Sequence, residues 1–440
     1  MPIKSRWWQA AMAGWLAAAV AMPLAAADVK ENIAREARAV EDRVIAWRRD
    51  IHQHPELSNR EFRTSKLVAE HLQSLGIEVT TGVAHTGVVG VLRGGSPGPV
   101  VALRADMDAL PVVERTGLPY ASTVRSKYEG QDVGVMHACG HDNHVAILMG
   151  AAEVLAGVRD ELAGTVKFIF QPAEEGAPRG EDGGAELMVR EGVLKNPDVE
   201  AIFGLHISQG DKVGQISYRP RGAMASAQRF EIRVQGRQTH GAQPWAGVDP
   251  IVVGAHIVTA LQTIVSRQLE ITRGPAVVTV GTFHAGVRNN IVPDEAVMGG
   301  TIRSFDPDMR AAIHEKLERI AVSVAQSMGA EATVEIDSGL PVTFNDPTLT
   351  ESVLPTLRSV YGAGNVRLGE PITGAEDFSF YQEEIPGFFF FIGGRPQDVP
   401  QEQAIPNHSP LFYVDEGALV LGVEAMSRLA VDYLEQAGRR

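Results

Sequence analysis

Short apolar runs separated by helical stretches constrain this chain more than any other feature. Residues 88–93, 100–104, 166–170 and 201–205 are rich in Val, Ile, Leu, Phe and Ala, the pattern of strands buried on both faces. Residues 146–158 read as a helix, and 29–75 alternate apolar and charged positions at helical spacing, with a break near His54-Pro55. Strands that alternate with helices predict an α/β layered sheet. At about Arg221 the texture changes. Residues 227–235 alternate like a half-exposed strand, 252–266 read as a helix, 277–283 and 297–304 as strands, and 309–328 as a helix. That order, ending near Glu335, predicts a small α+β domain with an open sheet. Helix and strand signals then resume, including a strand over 388–392. We therefore expect a compact insert, 220–334, within a larger α/β domain built from 28–219 and 335–440. A chain of 440 residues also exceeds the roughly 250–300 that one core sustains.

Residues 1–27 have the form of a secretory signal. Lys4 and Arg6 make a basic start, an apolar stretch runs over 10–24, and Ala25-Ala26-Ala27 offers a cleavage site. That stretch is shorter than the roughly 20 residues of a membrane span, and no other segment reads as long and apolar enough to cross. The expectation is an exported protein, periplasmic or secreted, with no membrane contact in its mature form. A formal net charge of −14 argues against nucleic acid or an anionic membrane as partner. Cys139 is the sole cysteine, so no internal disulfide framework exists.

Cys139 lies in Met136-His137-Ala138-Cys139-Gly140-His141-Asp142-Asn143-His144, a density of thiol, imidazole and carboxylate groups that reads as a metal site. A buried thiol near a helix start is the alternative. Other candidate groups follow apolar strands: Asp106 and Asp108 after 100–103, Glu174 and Glu175 after 166–170, His206 after 201–205, and His408 in a loop beyond 388–392. In open α/β sheets ligands bind at the carboxyl ends of strands, so these distant residues can share one cleft. Glu174-Glu175 could divide two tasks, one carboxylate holding metal and its neighbour moving a proton. Two carboxylates and a thiolate set together call for a cation. His52 reads as structural, and His240, a lone loop histidine, as exposed.

Four motifs are together specific: Arg104-Ala105-Asp106-Met107-Asp108-Ala109-Leu110-Pro111, His137-Ala138-Cys139-Gly140-His141-Asp142, Gln171-Pro172-Ala173-Glu174-Glu175 and Thr373-Gly374-Ala375-Glu376-Asp377-Phe378. With them the chain resembles the amidohydrolase branch of the aminoacylase/carboxypeptidase metallopeptidase superfamily, which includes hippurate hydrolases and indoleacetyl-amino-acid hydrolases. The resemblance runs from Trp47 to Pro410. It implies a catalytic domain with a mixed sheet between helices and an inserted α+β lid and dimerisation domain. It also implies two divalent metal ions, zinc before manganese or cobalt, held by Cys139, His141, Glu175, His206 and His408. Glu174 would be the general base. Asp106 follows Arg104, which stands where peptidase relatives carry a ligand histidine, so Asp106 is expected to orient rather than bind. His240 would reach the scissile carbonyl oxygen, from a partner subunit or its own, and Asn290 would help hold the substrate. The implied reaction is hydrolysis of N-acyl or N-aroyl amino acids, hippurate-like or ochratoxin-like amides included, by at least a homodimer. The alternatives are a dipeptidase or carboxypeptidase of short peptides, a non-catalytic exported metal- or amino-acid-binding protein, and a self-associating scaffold.

Overall fold

The computed structural model describes residues 21–438. Residues 1–20, with the basic start and most of the expected signal, lie outside the described residues. A helix, Ala21–Ala39, runs across the expected cleavage point.

The larger sheet has eight strands in the order Glu78–Val83, Gly87–Arg93, Ala163–Gln171, Ser96–Asp106, Ala201–Lys212, Gly387–Arg395, Ile216–Tyr218 and Val366–Leu368. Its four middle strands are parallel, and antiparallel pairings on either side make the sheet mixed. Both faces are covered, and the phenylalanine run shows why. Side chains alternate across a strand, so Phe388 and Phe390 enter one core with the helices His141–Gly157 and Gly417–Ala437, while Phe389 and Phe391 enter the core on the opposite face. The whole strand Gly387–Arg395 is buried, a scaffold stiff enough to fix the loops at its end.

The helix His141–Gly157 starts directly against the sheet. Gly140 opens it at φ 102, and a Cβ there would lie 2.4 Å from Ile207 Cγ2. Glycine is required on both counts, steric and conformational.

A second, antiparallel sheet is ordered Ala276–Ala285, Glu295–Ser304, Gln228–Gln235 and Glu331–Ile336. Two helices, Pro250–Thr263 and Pro307–Ser327, share its core through Val253, Ile257, Leu261, Ile313 and Leu317. Its last strand, Glu331–Ile336, is absent from the pattern read in the sequence; half-exposed on alternate residues and short, it carries no continuous apolar run. The stretch Pro250–Gln268 corrects another expectation. Its length and mean hydropathy of 1.2 would suit a membrane span. Here it packs one face on the second sheet and leaves Ile251 and Val252 exposed, 41% and 51%.

Candidate metal centre

The candidate groups converge at the carboxyl ends of the parallel strands. Asp106 ends one strand, Gln171 ends its neighbour and leads into Glu174-Glu175, and His206 lies on the third. His408 arrives on a loop at φ 69, fixed by its own N–H donating to Ala138 O at 2.7 Å. Asn407 clamps the same junction, donating to Cys139 O at 2.7 Å and Ile207 O at 3.2 Å.

Cys139 Sγ is the hub. His206 Nε2 and His408 Nε2 each lie 3.3 Å from it. His206 Nδ1 lies 2.8 Å from Ile207 O, which fixes the proton on Nδ1 and leaves the Nε2 lone pair facing the thiol. Two donor sets share the sulfur, one with His141 and His206, the other with Glu175 and His408, each within 4.8 Å. Zinc–sulfur and zinc–nitrogen bonds of about 2.3 and 2.0 Å would set such atoms roughly 3.5 Å apart around a tetrahedral ion, close to the spacing seen. An orphaned atom supports the fit: His141 Nε2 is buried without a hydrogen-bond partner. Buried polar atoms are rarely left so. Glu175 Oε1 meets His408 Nε2 at 2.9 Å. These residues fit a pair of divalent ions.

The three histidines of the Cys139 segment have different fates. His141 joins the hub. His144 does not: its Nδ1 contacts Asp106 Oδ1 at 2.6 Å and its Nε2 accepts from the Ile207 N–H at 2.8 Å, so both nitrogens are committed. His137 is buried with neither nitrogen partnered, and burial lowers it to about 4. Asp142 points elsewhere, tied to Arg48 Nε at 2.9 Å and His52 Nδ1 at 2.8 Å. His52 is thereby a buried structural histidine.

Asp106 sits behind the hub, gripped by Arg104 Nη1 at 2.7 Å and His144, and 3.7 Å from His141 Nδ1. Burial opposes its charge, yet His141, His144 and Arg104 together hold it well below the usual carboxylate range. The carboxylate nearest His141 is instead Asp108, at 3.3 Å. Asp108 also accepts the backbone N–H groups of Glu174 and Glu175, at 3.0 and 3.1 Å, and Glu61 accepts that of Ala173 at 3.0 Å. Two buried acids thus capture three consecutive amides and set the turn, with Ala173 at φ 54, that presents Glu174 and Glu175. Asp108 was readable in its motif as a candidate; its grip on this turn was not.

Glu174 Oε2 lies 3.8 Å from His141 Nε2, and its carboxylate groups with Glu376 and Asp377. Burial first, then those acids and Glu175, push it well above the usual range. Beneath them Arg104, wholly buried, donates at 2.9 Å to both Glu376 and Asp377 and at 2.8 Å to Gln171. Arg104 is therefore walled in by acceptors.

Glu174 also lines a cavity of about 490 Å³ that reaches the second sheet, where Arg229 and Arg303 face it. Arg303 has no ion-pair or hydrogen-bond partner among the described residues, and no sequence motif marks it. His240 and Asn290 lie together at a separate two-stranded pairing, where His240 pairs with Ile291 and Gly241 N–H donates to Asn290 O at 2.8 Å. Both are exposed, and within one chain neither joins the cluster around Cys139.

Comparison with known proteins agrees with this geometry. The family model for peptidase family M20/M25/M40 matches residues 102–432. A thermostable carboxypeptidase of Saccharolobus solfataricus is 42% identical over 92% of this chain and 99% of its own length. An N-acetylcysteine deacetylase of Bacillus subtilis is 39% identical, covering 90% and 98%. The crystal structure of a dinuclear metal-binding peptidase from Bacillus subtilis superposes with a TM-score of 0.74 at 37% identity, covering 90% and 99%. The chain belongs to peptidase family M20/M25/M40, among its metal-dependent amidohydrolases.

Proposed function

We propose that this enzyme hydrolyses the amide bond of N-acyl and N-aroyl amino acids, releasing a carboxylic acid and a free amino acid. The observation that carries the reading is the division between adjacent glutamates, which meet at His141: Glu175 also groups with Cys139 and His408, while Glu174 also groups with Glu376 and Asp377 and lines the open cavity. Cys139, His141, Glu175, His206 and His408 would hold the two ions. Thiolate and imidazole donors favour zinc, with manganese or cobalt as alternatives. Such ions polarise a carbonyl and make water more acidic. Glu174 takes the proton from the attacking water and returns it to the leaving amine. Its raised proton affinity suits that exchange. Asp106 and Asp108 hold the imidazoles and the glutamate turn in place. Arg303, whose side chain has no partner among the described residues and which lines the same cavity as Glu174, suits the carboxylate of the released amino acid.

The second sheet supports an oligomer of at least two chains. Its edge strand Ala276–Ala285 exposes Val277 and Phe283, next to Ile251 and Val252 of the adjoining helix. An unpaired, apolar edge is a ready pairing surface. In such a dimer the second copy's His240 would stabilise the oxyanion and its Asn290 would hold substrate. The basic start and apolar stretch before Ala27 support export to the periplasm or medium.

A carboxypeptidase acting on short peptides is the second reading, favoured by the relative of that name. Hydrolysis of hippurate, N-acetylphenylalanine and a dipeptide, before and after chelation and with zinc, manganese or cobalt restored, tests both. Chelator-sensitive cleavage of the N-acyl substrates is expected. Cleavage of the dipeptide alone would give the second reading, and no cleavage with any metal would refute the amidohydrolase reading.

A further inference from the structure

His52 packs as a structural histidine, yet its two partners lead to two different metal ligands. It lies on the helix Glu41–Gln53, wholly buried, with a carboxylate at each ring nitrogen. Nδ1 meets Asp142 Oδ2 at 2.8 Å, and Nε2 meets Glu114 Oε1 at 3.2 Å. An ionised carboxylate only accepts, and a neutral imidazole carries one N–H, so an imidazolium satisfies both contacts at once. Burial opposes that charge, but Asp142 and then Glu114 hold the proton and raise His52 above its ordinary range. Arg48 works against it, and the Tyr120 and His137 rings lie 5.6 and 6.5 Å away between centroids.

Asp142 directly follows the ligand His141 in the first turn of the helix His141–Gly157. Glu114 leads in another direction. It accepts from the Thr116 hydroxyl and, at 2.6 Å, from the Ser122 N–H, which closes 114–122 into a loop. The next residue, Arg115, donates its N–H to Pro410 O at 2.8 Å. Pro410 stands two residues beyond His408, in the loop that brings that ligand to Cys139. A path thus runs from His141 through Asp142, His52, Glu114 and Arg115 to the His408 loop. None of these intermediate side chains belongs to a donor set around Cys139.

The two ends serve different donor sets, since His141 groups with Cys139 and His206, and His408 with Cys139 and Glu175. Arg48, four residues before His52 and so on the same helix face, braces the same partners. Its Nε meets Asp142 at 2.9 Å, and its Nη1 donates to the Tyr120 hydroxyl, inside the loop 114–122, at 2.7 Å. Removing one member of so buried a set leaves a carboxylate without its counter-charge, and its neighbours must shift.

We propose that His52 is a positioning residue for the metal centre, a buried strut that fixes the segment bearing His141 against the loop bearing His408 and so sets the spacing of the two donor sets. The assignment rests on the two-metal reading above and adds a residue that touches neither ion.

The test measures zinc affinity by competition with a chelating indicator, and the absorption spectrum of cobalt-loaded protein. It compares wild type, His52→Gln, Glu114→Ala and the double variant. Wild type should bind two ions per chain. His52→Gln should weaken at least one of them about tenfold, the lower end of the cost of losing a group that orients a ligand. It should also shift the cobalt bands, which report how the donors are arranged. Glu114→Ala cuts the same path from the loop side and should do likewise; should His52→Gln not fold, it carries the test. Because both lie on one path, the double variant should lose no more affinity than the worse single variant. A His52→Gln protein with a lower Tm but unchanged affinity and cobalt spectrum would make His52 a packing residue only and overturn the proposal. Losses that add in the double variant would overturn it too. Either result leaves the two-metal reading standing, whereas wild type that binds neither zinc nor cobalt overturns both.

Discussion

The cluster around Cys139 and the His240–Asn290 pair are built to opposite rules. Around Cys139 the neighbours are held by specific contacts. The amides before Glu174 and Glu175 are captured by Asp108, His206 is oriented by Ile207, and His408 is pinned through Ala138. His240 and Asn290 have no such surroundings. They are exposed, His240 in a two-residue strand pairing that stands apart from both main sheets and Asn290 just before its second strand. A site that needs both is complete in its metal-holding half within one chain and incomplete in its substrate-facing half. The difference teaches that ion binding and turnover should be separable by mutation.

Glu174→Gln is the most severe separation: turnover should fall about 10²–10⁴-fold while elemental analysis still finds two ions per chain. Near-normal turnover with metal retained would remove Glu174 as the base. His240→Ala should lower kcat about 10²–10³-fold and leave metal content and Tm where they were. Mixing the two inactive variants sharpens the point, because a second copy that donates His240 would restore part of the activity, whereas donation within one chain would restore none. Cys139→Ser acts on the other half and should cost metal occupancy first; a serine variant that keeps both ions and full activity would sink the hub. Asp108→Asn should weaken metal affinity about 10–100-fold, the usual cost of losing a group that orients a ligand, and unchanged affinity would show that the glutamate turn holds itself.

Glu61→Gln should have the smallest effect, visible only against pH. Burial, then Asp108, push Glu61 from 4.5 up to about 8. The folded chain thus holds a proton that the unfolded chain releases between those values, so stability falls as pH rises across that window. Glutamine cannot ionise, and the slope of Tm over the same window should flatten. A slope unchanged by the substitution would assign it to other groups.

Much of this was legible in the sequence because it follows from period and position. Continuous apolar runs gave the buried parallel strands, and acids, thiol and imidazoles just beyond them gave the cluster. What stayed hidden depends on neighbours distant in the chain. His141 and His144 share one helix face, yet only the strand Ala201–Lys212 decides that His144 spends its Nε2 on Ile207. Arg303 sits on a half-exposed strand with no motif, and only the fold brings it to the cavity that Glu174 lines. Asp106 and Asp108 look equivalent two residues apart, but alternate residues take different partners once Arg104 is buried beside one of them.

The pinning of His408 has a consequence for how the molecule comes into being. His408 lies 269 residues beyond Cys139, and Glu376 lies 272 beyond Arg104. A chain made from its amino end has its thiol early and one of that thiol's partners, His408, very late. Contacts this distant in sequence form slowly, after long stretches have already collapsed. The centre is therefore one of the last things the chain can finish, and a chain cut short before residue 408 keeps the cysteine without the histidine that closes over it.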